Sequence, residues 1–326
     1  MTLQEIYDLA VEMGIKADPR EKNGVKRFLA RTKKEYEEMP QKKKQYFDKE
    51  SFKNPYSDSR ILFGDPKIKV GKLMAGIDAG VAEVLLLDRL NQKEHPSTGS
   101  GQGGIDLLVS HHPSSHALAS LHEVMDMQID MFEEAGVPAN VAHALFEERK
   151  SMVKRRIDPR NHTQVVDTAK LLDIPLLAIH TVWDNLTHQF MTKYLGNKKF
   201  ETAGDIMDEI NKIPEFIEAT KGKAGPSLVA GSEKNRTGKI FVSLTGGTNP
   251  SKELYIELAK AGVGTIIEMH VPEDVVQELR KLHINFINTG HMASDSIGAN
   301  IFLDEIEKRG VKVIPCSGLI RVRRIA

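Results

Sequence analysis

Residues 105–113 read IDLLVSHHP, and this stretch decides the architecture. Its first six positions are short and mostly apolar, with no polar residue at every second position. That pattern fits a strand covered on both faces rather than one with a wet side. Pro113 lacks an N–H and ends the ladder. Similar runs recur at 72–78 (KLMAGID), 174–180 (IPLLAIH), 239–246 (KIFVSLTG), 264–270 (GTIIEMH), 284–290 (INFINTG) and 311–318 (VKVIPCSG). Helical patterns separate most of them. The alternation predicts an α/β fold, two α/β halves with mostly covered sheets.

Three of the runs end in a histidine motif. The first gives His111 and His112, the second His180 and Asp184 in HTVWD, the third His291 and Asp295 in GHMASD. Open α/β sheets bind ligands beyond the carboxyl ends of their strands, which is where all three motifs fall. Adjacent side chains inside a strand point to opposite faces. At a strand end the His111–His112 pair can diverge, so that each imidazole serves a different ion of a close pair. In the other two motifs His and Asp are four apart, one face of a starting helix. A single H-x-x-x-D arises often by chance, and three motifs at strand ends carry the inference together.

Imidazole and carboxylate suit two divalent ions such as zinc, iron or manganese. Two ions about 3.5–4 Å apart activate a bridging water. Cys316 is the only cysteine, which excludes a thiolate zinc finger and any intrachain disulfide. The chain is therefore expected in a reducing cytoplasm. Its amphipathic start, MTLQEIYDLAVEMGIK, does not read as a signal peptide, and no apolar run has the length to cross a bilayer. Lysine plus arginine number 45 and aspartate plus glutamate 45. Zero net charge argues against a dedicated nucleic-acid binder, despite the RVRR near the C-terminus.

The organisation predicted is a charged helical region over 1–60, a first α/β half over 61–222 and a second over 223–326. A helical insertion at about 118–172 divides as 119–135, 139–157 and 161–172, with breaks at Pro138 and Pro159. Leu3, Ile6, Leu9, Ala10 and Met13 make one apolar stripe, followed by a solvated hairpin broken near Pro40. Helices are also expected over 185–221, broken at 196–197 and at Pro214. The segment KGKAGPS near 221–227 marks the boundary between halves. The Gly/Ser-rich stretch 95–104 reads as a surface loop, and LTGGTNPSKE, 244–253, as a turn ahead of a helix. Glu268 is expected to be packed or paired, with His270 at the next strand end, His116 and His122 exposed, and Cys316 buried and inert.

The motifs resemble the Nif-three-like proteins, also described as GTP cyclohydrolase 1 type 2 homologues. The resemblance lies in MAGIDAG with Asp78, DLLVSHHP, HTVWD and GHMASD, in that order. It implies that His111, His112, Asp184, His291 and Asp295 are metal ligands. It sets His180 beside them as a catalytic proton carrier, with Asp78 on the neighbouring strand end. It further implies a homo-oligomer, a toroidal hexamer, and hydrolysis of a nucleotide-like or phosphorylated small molecule. A non-catalytic metal-binding regulatory or metal-chaperone role is the alternative. The sequence departs from the family in four places. The last carboxylate is Asp295 where glutamate is usual, Val182–Trp183 replaces Asn-Leu, the helical insertion is long, and the N-terminal region is charged.

Overall fold

The computed structural model describes residues 1–94 and 104–325. The surface loop expected over 95–104 lies outside them except for Gly104. Among the described residues nine strands form two sheets. They are β1 (Arg60–Phe63), β2 (Lys72–Gly76), β3 (Leu107–Ser110), β4 (Leu176–Ala178), β5 (Ser227–Ala230), β6 (Lys239–Ser243), β7 (Val263–Glu268), β8 (Asn285–Asn288) and β9 (Lys312–Cys316). The first sheet runs β1-β4-β3-β2-β9 and the second β5-β8-β7-β6. All pairings are parallel except the edge pairs β1–β4 and β5–β8.

The seven apolar runs all become strands, and the five central ones bury both faces while β6 and β9, at the edges, are partly exposed. In the first sheet Leu73, Leu107, Val109 and Leu177 face one apolar core. Their neighbours Met74, Leu108, Leu176 and Ala178 face another. In the second sheet Phe241, Ile266 and Phe286 face one core, while Ile267 and Ile287 face its opposite. The two strands absent from the sequence reading, β1 and β5, are four-residue antiparallel edges with half-exposed positions. An edge strand covered on one side gives a weaker apolar signature.

The helices Thr181–Gly196 and His291–Lys308 stand between the sheets. Val182, Trp183, Phe302 and Leu303 belong to the core of the first sheet. Met191, Leu195, Ala293 and Ile297 belong to that of the second. Both helices are therefore buried on two faces, one toward each sheet. The backbones meet at Gly298, where an added Cβ would lie 1.9 Å from the Trp183 carbonyl oxygen. Thr187 bridges the pair: its hydroxyl donates to the Ser294 carbonyl at 2.8 Å and accepts from the Gly298 N–H at 2.9 Å.

Several expectations are corrected. The predicted second half is not self-contained, since β9 returns to the first sheet and covers the edge of β2. The apolar stripe of the N-terminal helix is buried, as expected. Leu3, Ile6 and Ala10 of the helix Leu3–Ala17 lie in the first core, with Leu9 and Met13 half-buried beside them. The helix expected over 119–135 is broken into Ser115–Ala119, a 3-10 turn at Leu121–Met125 and Asp126–Glu134. The other two insertion helices form, at Ala139–Ile157 and Gln164–Leu171. The RVRR segment is not a free basic tail: Arg321, Arg323 and Arg324 pair with Asp304, Glu307 and Glu215. Cys316 is half-buried, and burial raises its thiol to about 11. Among the described residues no helix is long and apolar enough to cross a membrane.

The Gly298 contact makes a prediction. Gly298→Ala should lower unfolding stability by about 1–3 kcal/mol, the usual penalty for overpacking. Gly196→Ala, whose methyl would meet nothing within 4 Å, should leave it unchanged or raise it by up to ~1 kcal/mol. Urea melts of both variants check this, and equal midpoints would contradict it.

Candidate metal centre

Strands β2, β3 and β4 are parallel, so their carboxyl ends share one edge of the first sheet. Strands β6, β7 and β8 do the same in the second. The site lies where these edges meet. His111 and His112 follow β3, and their N–H groups donate to the carbonyls of Gly76 and Ile77. The ladder thus continues through both before Pro113 stops it. His180 caps the helix Thr181–Gly196, which carries Asp184 in its first turn. A carboxylate there also complements the positive helix end. His291 opens the helix His291–Lys308 after Gly290, whose φ of 86° favours glycine.

The structure brings six sequence-predicted residues together: His111, His112, His180, Asp184, His291 and Asp295. His111 Nε2 lies 3.3 Å from Asp184 Oδ1 and 3.5 Å from Asp295 Oδ1. His112 Nε2 lies 3.3 Å from His291 Nε2 and 3.6 Å from Asp295 Oδ2. His291 Nε2 lies 3.4 Å from Asp295 Oδ2. Three donor sets could hold a metal ion: His111–Asp184–Asp295, His112–His291–Asp295 and His111–His112–His180. Asp295 is fully buried. Neither of its carboxylate oxygens nor His111 Nε2 has a hydrogen-bond partner.

The imidazoles are oriented from behind. His111 Nδ1 bonds the Ile179 carbonyl at 3.1 Å, and the Trp183 ring stacks on it with centroids 5.5 Å apart and planes 5° from parallel. Trp183 is therefore both core and site wall. His112 Nδ1 bonds Asp78 Oδ1 at 2.6 Å, and His180 Nδ1 bonds Asp58 Oδ2 at 2.8 Å. An Nδ1–H donated to oxygen leaves the Nε2 lone pair for a metal or a proton.

The architecture is shared with a known structure. A NIF3 superfamily protein from Sphaerobacter thermophilus superposes with a TM-score of 0.74 and 26% identity, over 98% of this chain and 99% of that one. The chain is similar to that NIF3 superfamily protein over nearly its whole length. A Bacillus cereus protein related to NIF3 (TM-score 0.41, 9% identity, 91% of this chain and 98% of that one) and reduced HcgD from Methanocaldococcus jannaschii (0.46, 16%, 78% and 87%) are more distant and carry no argument. No family model and no curated protein matches.

In this chain the donor spacing fits a metal. A four-coordinate ion with bonds of ~2.0–2.1 Å spaces its donors by about 3.3–3.4 Å. Buried polar atoms without partners are costly unless something satisfies them, and the unpaired atoms here are lone-pair donors facing one another. The short Asp295 side chain directs Oδ1 toward His111 and Oδ2 toward His112 and His291.

Electrostatics follow the same geometry. Burial penalises ionised Asp295, but His111, His291 and His112 outweigh it and hold the carboxyl at about 2. Burial also opposes charge on His111, yet Asp295 and Asp184 raise it well above the ordinary imidazole value. Burial and the neighbouring imidazoles push His291 down to about 4, against the pull of Asp295. Burial disfavours charged His180, and Asp184 and Asp58 reverse that and raise it.

Asp58 is the site residue the sequence did not single out. It sits in NPYSDSR, within a region read as charged and helical, where nothing in spacing points 122 positions ahead to His180. Burial penalises its charged form, and His180 and Thr181 more than compensate, so its pKa falls. His270 does approach the cluster, its ring centroid 4.7 Å from that of His291. His116 is exposed as expected, but His122 is half-buried.

A metal ion must displace the proton that Asp295 and Asp184 hold on His111. Because that pKa is raised, a proton competes with the ion for the ring. Zinc affinity should therefore climb with pH between 6 and 7.5, by roughly tenfold per unit for one displaced proton. Calorimetric titration at several pH values checks this, and a pH-independent affinity would contradict it.

Proposed function

We propose that the chain holds two divalent ions and hydrolyses a nucleotide-like or phosphorylated small molecule. His111, Asp184 and Asp295 would hold one ion, and His112, His291 and Asp295 the other. The observation that carries this reading is the buried, unpaired carboxylate of Asp295, whose two oxygens face different donor sets. Imidazole and carboxylate donors without thiolate suit zinc, iron(II) or manganese. Three protein donors per ion leave a position for water or substrate. When bound, such a pair lowers the pKa of a water and polarises an electrophile.

The chain's own residues then handle the proton. Asp58 anchors His180 Nδ1, while the rest of that ring lies against His111 and His112 at centroid distances of 4.8 and 5.8 Å. His180 accepts the proton released at the site and returns it to the leaving group. Asp58 fixes the tautomer and stabilises the charged ring, and the Thr181 hydroxyl donates to the same carboxylate oxygen at 2.6 Å. Trp183 fixes the plane of His111 and keeps water from its buried side.

The test is metal removal and reloading, with metal content measured by mass spectrometry. Turnover of nucleotides and phosphoesters should vanish with chelator and return with zinc, iron(II) or manganese. Asp295→Asn should lose both ions and His291→Ala one. His180→Asn should keep both and lower kcat by about 10²–10⁴-fold. Full loading without turnover of any substrate would reject catalysis and favour the metal-carrying reading.

A further inference from the structure

One cleft joins the candidate metal centre to a group that the proposed chemistry does not use. His180, Asp184 and His291 line one end. Ser243, Thr245, Asn249, Glu268 and His270, from the carboxyl ends of β6 and β7, line the other. Its free volume is about 50 Å³, room for a few waters or one compact polar head group.

Glu268 is 2% exposed. Its Oε2 accepts from the Tyr255 hydroxyl at 2.7 Å and from Asn249 Nδ2 at 3.1 Å. Its Oε1 has no partner. The surroundings are fixed in place: Asn249 Nδ2 also bonds the His270 carbonyl, Arg149 Nε holds the Asn249 carbonyl at 2.9 Å, and Gln128 ties down the Gly246 and Thr248 carbonyls. A rigid carboxyl with one oxygen engaged and the other unpaired is an arrangement that needs a partner. Among the described residues the cleft lining supplies no lysine or arginine to pair with Glu268.

We infer that this end of the cleft is a recognition subsite for a cationic nitrogen-donor group, an amidine-like head, whose N–H meets Glu268 Oε1. The inference rests on the proposed function in one respect: the rest of the bound molecule then extends toward the donors at the other end. Glu268 selects the substrate, and the reaction takes place about Asp295. Burial raises the Glu268 carboxyl to about 8, only partly offset by Tyr255 and Asn249. A cationic head group therefore ionises it on binding and expels a proton at pH 7.

The probe is acetamidine, a compact cation that the bound metals repel and Glu268 attracts. Metal-loaded protein should bind it saturably at pH 7, with release of roughly one proton read from calorimetry in two buffers of different ionisation enthalpy. Glu268→Gln should weaken binding at least tenfold and abolish the proton release, with metal content unchanged. No saturable binding, or an unchanged affinity in Glu268→Gln, would overturn the inference. If the variant loses metal or fails to fold, the native protein still decides, since binding without proton release places the probe away from Glu268. Acetamidine binding does not depend on turnover. Absence of hydrolysis would therefore leave this subsite standing, and loss of the subsite with turnover intact would leave the metal chemistry standing.

Discussion

A carboxylate sealed from water among three imidazoles is the interaction on which this structure depends. Asp295 is fully buried, with no hydrogen bond on either oxygen. Removing an ionised carboxylate from water is costly unless positive charge takes the place of solvent. Here that charge comes from protonated His111 or from metal ions. The rest of the fold keeps the arrangement rigid. Two interior helices in backbone contact at Gly298 deliver Asp184 and Asp295, and the end of β3 delivers two histidines whose rings are tethered from behind.

The two sheets explain why the site lies where it does. Each has a parallel centre and one antiparallel edge strand. Parallel strands align their carboxyl ends, where the backbone leaves the ladder and side chains are free to converge. The first sheet contributes His111, His112 and His180. The second contributes His291, with Glu268 and His270 one strand over. The candidate metal centre and the cleft beside it are thus assembled across the two sheets, and β9 links the second half of the chain back to the first.

Much of this was legible in the sequence for a physical reason. Strands buried on both faces are continuous apolar runs, and all seven apolar runs are strands. His-His-Pro and the two His-x-x-x-Asp motifs mark strand ends, and the structure gathers all six of their charged or imidazole residues. What was missed has weaker signatures. β1 and β5 are short, one-sided edges. Asp58 lies in an irregular loop and reaches His180 only through tertiary folding. The free oxygen of Glu268 was invisible because a buried pairing partner and a ligand-facing group look alike in one dimension. β9 defeated the simple division into halves because pairing with β2 is a long-range event that local composition does not record.

The most direct test of the central claim is anomalous X-ray scattering at the absorption edge of the loaded metal in crystals of the protein. The account predicts two peaks, one on each side of the Asp295 carboxylate. The first should be bonded to His111 and Asp184, the second to His112 and His291. A single peak, or metal bound away from Asp295, would contradict it.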